Sequence, residues 1–176
     1  KTELTLESST GRLVQSGALT LRAGMGVVIL DHLTGAATGK PLVIWSDFES
    51  AGDGTLTLVT TKVINTNDSD VTITAWDVDL SGSLTSGTGT PSIHGAKDAQ
   101  TLGLGDTGTG VSAKHMHITD AELGRVTTSG GGLKVGSGDE AGMTVDGITA
   151  SNSNHMLAVL TLTQTREDAK ITFSGA

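Results

Sequence analysis

The residues in this sequence that could do chemistry stand in pairs two positions apart. Asp77 and Asp79 form one pair, and His115 and His117 form the other. Residues two apart in a strand share one face, so each pair would place two like groups side by side on a sheet. Paired carboxylates can serve acid–base chemistry on glycosides or bind Ca²⁺, whereas paired imidazoles are ligands for zinc or copper. The alternative, which we favour for both pairs, is an exposed polar face with no metal.

Two acidic turns could hold a structural Ca²⁺ ion. They cover residues 46–54 and 137–142 and combine carboxylates with Ser and Gly. Oxygen ligands of this kind suit Ca²⁺, but neither turn has the spacing of an EF-hand loop or of a nonapeptide calcium repeat. We therefore expect no cofactor, with structural Ca²⁺ as the alternative.

One acceptor sequence for N-glycosylation occurs in the chain, Asn67-Asp68-Ser69. It falls in a polar loop between two predicted strands. We predict Asn67 as a glycosylation site if the protein is secreted by a eukaryote, and a solvated turn without a glycan is the alternative.

The composition excludes several classes of protein. The chain has 176 residues and a net charge of −8, and its 11 Lys and Arg residues are too few to offset phosphate repulsion, so we expect no nucleic-acid partner. Cysteine is absent, which excludes disulfides and a thiolate nucleophile. No apolar run approaches the ~18 residues of a membrane-spanning helix. Aromatic residues make up 2% of the chain, so the core must be aliphatic and a deep aromatic-lined pocket is not expected.

Apolar and polar residues alternate at period two through most of the chain, in short runs separated by Gly, Asn, Asp and Ser. Each run predicts a strand with one buried face and one polar face. The inward pairs are Leu19/Leu21, Leu56/Leu58, Val71/Ile73, Leu102/Leu104, Met116/Ile118, Leu133/Val135, Met143/Val145, Leu160/Leu162 and Ile171/Phe173. Helical patterns are nearly absent. The segment 119–123 predicts one corner turn, capped by Thr119 with Glu122 three residues on.

A change of phase within one run favours coils over a flat sandwich. Apolar positions are odd from Val71 to residue 75 and even from Val78. A straight strand cannot change its buried face, so the chain must bend near Trp76 and Asp77. A bend that keeps the apolar side inward is typical of the corner of a coil. We therefore predict an all-β fold, specifically a right-handed parallel β-helix, with a Greek-key β-sandwich as the alternative.

Four short elements follow one another in the second half of the chain. They are Thr101-Leu102-Gly103-Leu104-Gly105, Met116-His117-Ile118-Thr119-Asp120-Ala121-Glu122-Leu123, Gly132-Leu133-Lys134-Val135-Gly136-Ser137 and Met143-Thr144-Val145-Asp146-Gly147-Ile148. Their order resembles the repeat unit of giant, tandemly repetitive surface proteins of the filamentous-haemagglutinin-like type, and the likeness covers most of residues 40–176. The resemblance implies secreted fibrous or adhesive structure, built of coils stacked into rods, with no catalytic residue to carry over. It also implies that residues 1–176 are a single β-helical module of a longer repetitive chain.

Together these observations predict a non-enzymatic extracellular module at the cell surface. Its open ends would stack head to tail, on neighbouring modules or on itself, in a fibre, filament or sheath. One alternative is an adhesin module that binds a surface or a polysaccharide through Trp45 and Trp76. A polysaccharide-active β-helix enzyme is a less favoured alternative, because it would need acidic and basic side chains converging on neighbouring coils. The Thr-x-Thr units of the chain would indicate ice binding only if they stacked in register on one flat face.

Overall fold

The computed structural model describes residues 2–106 and 110–174. Lys1 and Ala176, the ends of the expected segment of a longer chain, lie outside the described residues. Short strands and two one-turn helices make up the regular structure. In chain order these are β1 (Leu4–Leu6), β2 (Arg12–Gln15), β3 (Leu19–Arg22), β4 (Gly26–Ile29), β5 (His32–Gly35), β6 (Leu42–Trp45), β7 (Thr55–Leu58), β8 (Val63–Asn65), β9 (Val71–Ala75), β10 (Asp77–Leu80), β11 (Ser83–Gly87), β12 (Pro91–Gly95), β13 (Thr101–Leu104), β14 (Met116–Ile118), α1 (Asp120–Leu123), β15 (Val126–Thr128), β16 (Leu133–Val135), β17 (Gly142–Val145), α2 (Ala150–Ser153), β18 (Leu160–Leu162) and β19 (Lys170–Phe173).

All strand pairs in the described part of the chain are parallel. From β1 to β12 the chain visits three sheets in a constant order, and we call one turn of the chain around the stack a rung; from β13 onward a fourth sheet takes the place of the first. From one edge to the other, the strands of the first sheet lie in the order β1-β4-β7-β10, those of the second in the order β2-β5-β8-β11-β15 and those of the third in the order β3-β6-β9-β12-β16-β18. The all-β prediction is confirmed. The Greek-key sandwich is wrong, because that arrangement pairs its strands antiparallel.

A fourth sheet departs from chain order. Its strands lie in the order β14-β13-β17-β19, so β13 pairs with both β14 and β17. The chain therefore turns back after β13 and lays β14 on the side that faces the earlier rungs. There the backbone N–H of His117 donates to Oδ1 of Asp77 in β10, at 3.0 Å, which connects the fourth sheet to the first.

The core is a set of aliphatic ladders between neighbouring rungs. Ile44, Ile73 and Ile93 are stacked in register along the third sheet, and none is more than 1% exposed. Burying a side chain of this size contributes about 1.5–3 kcal/mol. The buried cluster of described residues consists of Leu, Ile, Val, Ala and Met side chains, without an aromatic ring. The expectation of an aliphatic core is confirmed.

Two local predictions also agree with the structure. β9 ends at Ala75 in the third sheet and β10 begins at Asp77 in the first, so the bend lies at Trp76. The helix α1 is a single turn with a complete capping box: the Thr119 hydroxyl accepts from the Glu122 N–H, and the Glu122 carboxylate accepts from the Thr119 N–H. Within the described ranges, no helix has the length and apolar character needed to cross a membrane.

Candidate functional site

Asp77 and Asp79 share the outer face of β10, as predicted, but they have different partners. Asp77 is half-buried and accepts the His117 N–H described above. Burial raises the pKa of its carboxyl above the usual value, although hydrogen bonds from the N–H groups of His117 and Val78 offset part of that rise. Asp79 is exposed and accepts from the Ser81 hydroxyl at 2.9 Å. The first carboxylate thus connects two rungs, and the second lies at the surface.

His115 and His117 are also drawn to separate partners. The His115 ring is stacked on the Trp76 indole, with centroids 4.5 Å apart and planes inclined by 28°. Its Nδ1 accepts from the Thr101 N–H at 3.2 Å. The Nε2 of His117 lies 2.6 Å from the carbonyl oxygen of Gly105, which can only accept, so this nitrogen carries the proton. Among the residues that the structure describes, no three His, Asp or Glu side chains are grouped to hold a metal ion.

The acidic turns predicted as possible Ca²⁺ sites direct their buried carboxylates at the protein's own backbone. Asp47 is fully buried, and its two oxygens accept from the N–H groups of Ala51 and Gly52 at 3.0 and 2.8 Å. Glu140 is buried as well. It accepts from the Gly95 N–H at 3.0 Å and from the Ser137 N–H at 2.8 Å. These hydrogen bonds close the turns, and a structural Ca²⁺ ion at either turn remains a prediction.

The sequence analysis missed that two buried glutamates connect rungs. Glu122 accepts from the N–H of Leu80 at 2.9 Å, just as Glu140 accepts from that of Gly95. Both occupy the last position of a Ser/Thr-x-x-Glu spacing, one starting at Thr119 and the other at Ser137. The spacing was a usable signal at both places. It predicted the local cap at α1, but not the reach of the carboxylate to the preceding rung.

Asn67 lies in the turn between β8 and β9, in the left-handed region with φ 51°. Its N–H donates to the side-chain oxygen of Asn65 at 3.0 Å. Ser69, the third residue of the acceptor sequence, is buried, and its hydroxyl accepts from the Lys40 N–H at 3.0 Å. The predicted polar turn is confirmed, and glycosylation of Asn67 remains a prediction.

Three of the four Trp and Phe side chains lie at one corner, where the chain leaves the third sheet. Trp45 and Phe48 meet edge to face with centroids 4.9 Å apart, and the Arg22 guanidinium lies 4.8 Å from the Phe48 centroid. At the same corner, Lys97 Nζ is 5.7 Å from the Trp76 ring. We call these five residues the aromatic corner. The Arg22 side chain therefore lies over Trp45 and Phe48, and the Lys97 side chain lies over Trp76.

The Thr-x-Thr units do not stack on one another. Thr55 and Thr57 pair with Gly26 and Val28 on one side, and with an aspartate pair on the other. Thr ladders in register, which ice binding would need, are therefore not formed by these strands.

Comparison of the chain with protein-family models, curated proteins and solved structures returns no match.

Proposed function

We propose that the chain is a right-handed parallel β-helix and that it serves as a structural module of an extracellular fibre, filament or sheath. The constant order in which the chain visits three sheets from β1 to β12 supports the β-helix, because each return to a sheet adds a parallel strand beside the previous one. Parallel crossovers within one sheet are almost always right-handed, which supports the handedness. The resemblance to filamentous-haemagglutinin-like repeats supports the location outside the cell.

The observation that carries the proposal is that the sheets end in strands with one unpaired edge. Among the described residues, β18 and β19 each pair on one side only, and so do β1, β2 and β3 at the opposite limit of the sheets. Apolar side chains are exposed near the later strands: Leu157 is 72% exposed, Val159 63% and Phe173 71%. Strand edges with unpaired N–H and C=O groups favour pairing with another chain. Head-to-tail contact between modules would cover both the edges and the apolar side chains.

The mechanism we propose is mechanical. Hydrogen bonds between parallel strands run from rung to rung, so they resist extension along the stack. Aliphatic ladders fill the interior of every rung and resist bending. Each added rung lengthens the stack by about 4.8 Å, the spacing between neighbouring strands. Stability then depends on nearest-neighbour contacts, as in other repeat proteins.

Small-angle X-ray scattering on one copy and on two copies joined end to end tests the proposal. We expect the maximum dimension to about double while the cross-sectional radius stays constant, because the second copy continues the stack. A single copy should also self-associate as its concentration rises. Two compact bodies joined flexibly, with no self-association of either, would contradict the rod.

A second candidate function, an adhesin module, is favoured by the aromatic corner. Aromatic side chains are rare in this chain, yet Trp45, Phe48 and Trp76 lie at one place on its surface. Trp45→Ala and Trp76→Ala together should abolish attachment to polysaccharide-coated surfaces, with Lys134→Ala, at an exposed position of the third sheet, as the control. Undiminished attachment would exclude this function. The polysaccharide-active enzyme stays a prediction, which a uronic-acid turnover assay tests directly.

A further inference from the structure

A cleft of about 350 Å³ opens on the outer face of the fourth sheet. β13, β17 and β19 contribute its floor through Thr101, Thr144 and Thr172. Lys114, from the segment that leads into β14, and Asp168, from the turn before β19, also line the cleft. The cleft therefore combines side chains from three strands and two connecting segments.

A glycine in the middle strand creates the depth of this cleft. Gly142 pairs with Thr101 on one side and with Lys170 on the other, so it lies between two side-chain-bearing neighbours. Its φ of +157° and the Lys170 carbonyl oxygen, 3.2 Å from where a Cβ would be, disfavour any larger residue. Across the three strands, Gly142 therefore leaves a gap between the hydroxyl of Thr101 and the ammonium group of Lys170.

The cleft is lined by hydrogen-bonding groups of both kinds. Lys114 and Lys170 form no ion pair with a described residue. Thr144 and Thr172 are directly paired in register on neighbouring strands, whose backbones lie about 4.8 Å apart. The carboxylate of Asp168 adds an acceptor. Two ammonium groups against one carboxylate leave the cleft with a positive charge on a chain whose net charge is −8.

We propose that this cleft binds an acidic sugar residue, such as a uronate unit of a polysaccharide. The sugar carboxylate would pair with Lys114 and Lys170, while the ring hydroxyls would bond to the threonine hydroxyls and to Asp168. A bare phosphate or sulfate would use only the two ammonium groups and would be repelled by Asp168. The volume lies at the lower end of the range for small-molecule sites, which suits one or two sugar rings. This site does not depend on the stacking of modules.

Titration with methyl glucuronide, followed by amide chemical shifts, tests the proposal, since methyl glucoside differs from it only in the carboxylate. We expect shifts at residues 142–144 and 170–172, with the glucuronide binding about tenfold more tightly than the glucoside. Lys170→Gln and Lys114→Gln should each weaken glucuronide binding about tenfold. Lys134→Gln is the matched control, because Lys134 is exposed on the outer face of the third sheet, and it should leave binding unchanged.

Three results would overturn the proposal. Equal binding of inorganic sulfate and the glucuronide would show a site for anions in general. Equal binding of glucoside and glucuronide would show that the lysines do not select the carboxylate. Absence of shifts at residues 142–144 and 170–172, in a protein whose circular dichroism shows it to be folded, would show that the cleft takes no such ligand.

Discussion

The carboxylate of Glu122 accepts a hydrogen bond from the backbone N–H of Leu80, 2.9 Å away on the preceding rung. Its other oxygen accepts from the N–H of Thr119 at 2.8 Å, so one side chain closes a helix cap and connects two rungs. Glu122 is buried, and both donors would lose their partner without it. A polar side chain inside the stack thus fixes how two rungs meet at a corner where no strand pairing does so.

Glu122→Ala should therefore lower the free energy of unfolding by about 2–4 kcal/mol, because the buried N–H of Leu80 and the partly buried N–H of Thr119 lose their acceptors. Glu122→Gln should cost less, since its amide oxygen still accepts one of the two bonds. Glu167→Ala, at an exposed position, is the control and should change stability by less than about 0.5 kcal/mol. Urea unfolding of the three variants measures these differences. An Ala variant as stable as the control would contradict the role of Glu122.

Gly105 holds a position that tolerates no side chain. Its φ is +115°, and a Cβ there would lie 1.6 Å from the carbonyl oxygen of Asp146. We expect Gly105→Ala to destabilise the protein by about 3 kcal/mol or more, or to prevent folding. Gly17→Ala is the matched control, because nothing lies within 4 Å of a Cβ at Gly17. Thermal unfolding followed by circular dichroism compares them, and a similar midpoint for both variants would refute the expectation.

A fully buried rung residue gives a third test. Ile73 lies between Ile44 and Ile93 in the ladder of the third sheet. Ile73→Ala should cost about 2–5 kcal/mol and Ile73→Val about 0.5–1.5 kcal/mol, through lost burial and the cavity left behind. Val14→Ala, at a position that is 51% exposed, serves as the control in the same denaturant titration. Equal costs at Ile73 and Val14 would contradict a packed interior.

The sequence predicts most strands of this fold because their period is simple. Pairs such as Leu56/Leu58 and Met143/Val145 alternate with polar residues, and all the predicted runs are strands. The bend at Trp76 was predicted because the apolar positions change from odd to even there, which a straight strand cannot accommodate. Most of the resulting faces were correct too, including the shared outward face of Asp77 and Asp79. Phe173 is the exception: it was predicted to be buried but is 71% exposed, because its strand ends the fourth sheet.

The features that sequence analysis missed lack that periodic signal. The strand β14 was predicted, but its place between the first sheet and β13 depends on a long-range pairing that alternation does not encode. The second sheet uses strands such as Arg12–Gln15 and Ser83–Gly87, which contain few apolar residues. The roles of Glu122 and Glu140 depend on which backbone groups of another rung come near, and a local spacing cannot give that. The spacing of His115 and His117 predicted that they share one face of a strand, but in the structure each contacts different residues.

The ionised carboxylate of Asp120 should stabilise the folded protein, and this contribution should be lost in acid. Burial alone would raise the pKa of its carboxyl, but hydrogen bonds from Thr149 and from the Asn152 amide outweigh burial and lower it. A lowered native pKa stabilises the folded state above the unfolded value of about 3.9, and this contribution is lost as pH falls through the native pKa. Asp120→Asn should thus be destabilised at pH 7, and its deficit should shrink below about pH 4. Urea titrations between pH 2 and pH 7 measure the trend; a deficit independent of pH would contradict it.

Asp77 should show the opposite sign. Burial raises the pKa of its carboxyl in the folded protein, so the folded state favours the protonated form. That contribution is present below the unfolded value of about 3.9 and is lost as pH rises through the native pKa. Asp77→Asn keeps an oxygen that can accept the His117 N–H but carries no charge. It should therefore be more stable than the natural protein at pH 7 and equal to it at pH 2–3.

Asp79→Asn, on the same face but exposed, is the control in the same titrations. An Asp77→Asn variant that is less stable at pH 7 would show that the ionised carboxylate, rather than its neutral form, is what connects β10 to β14.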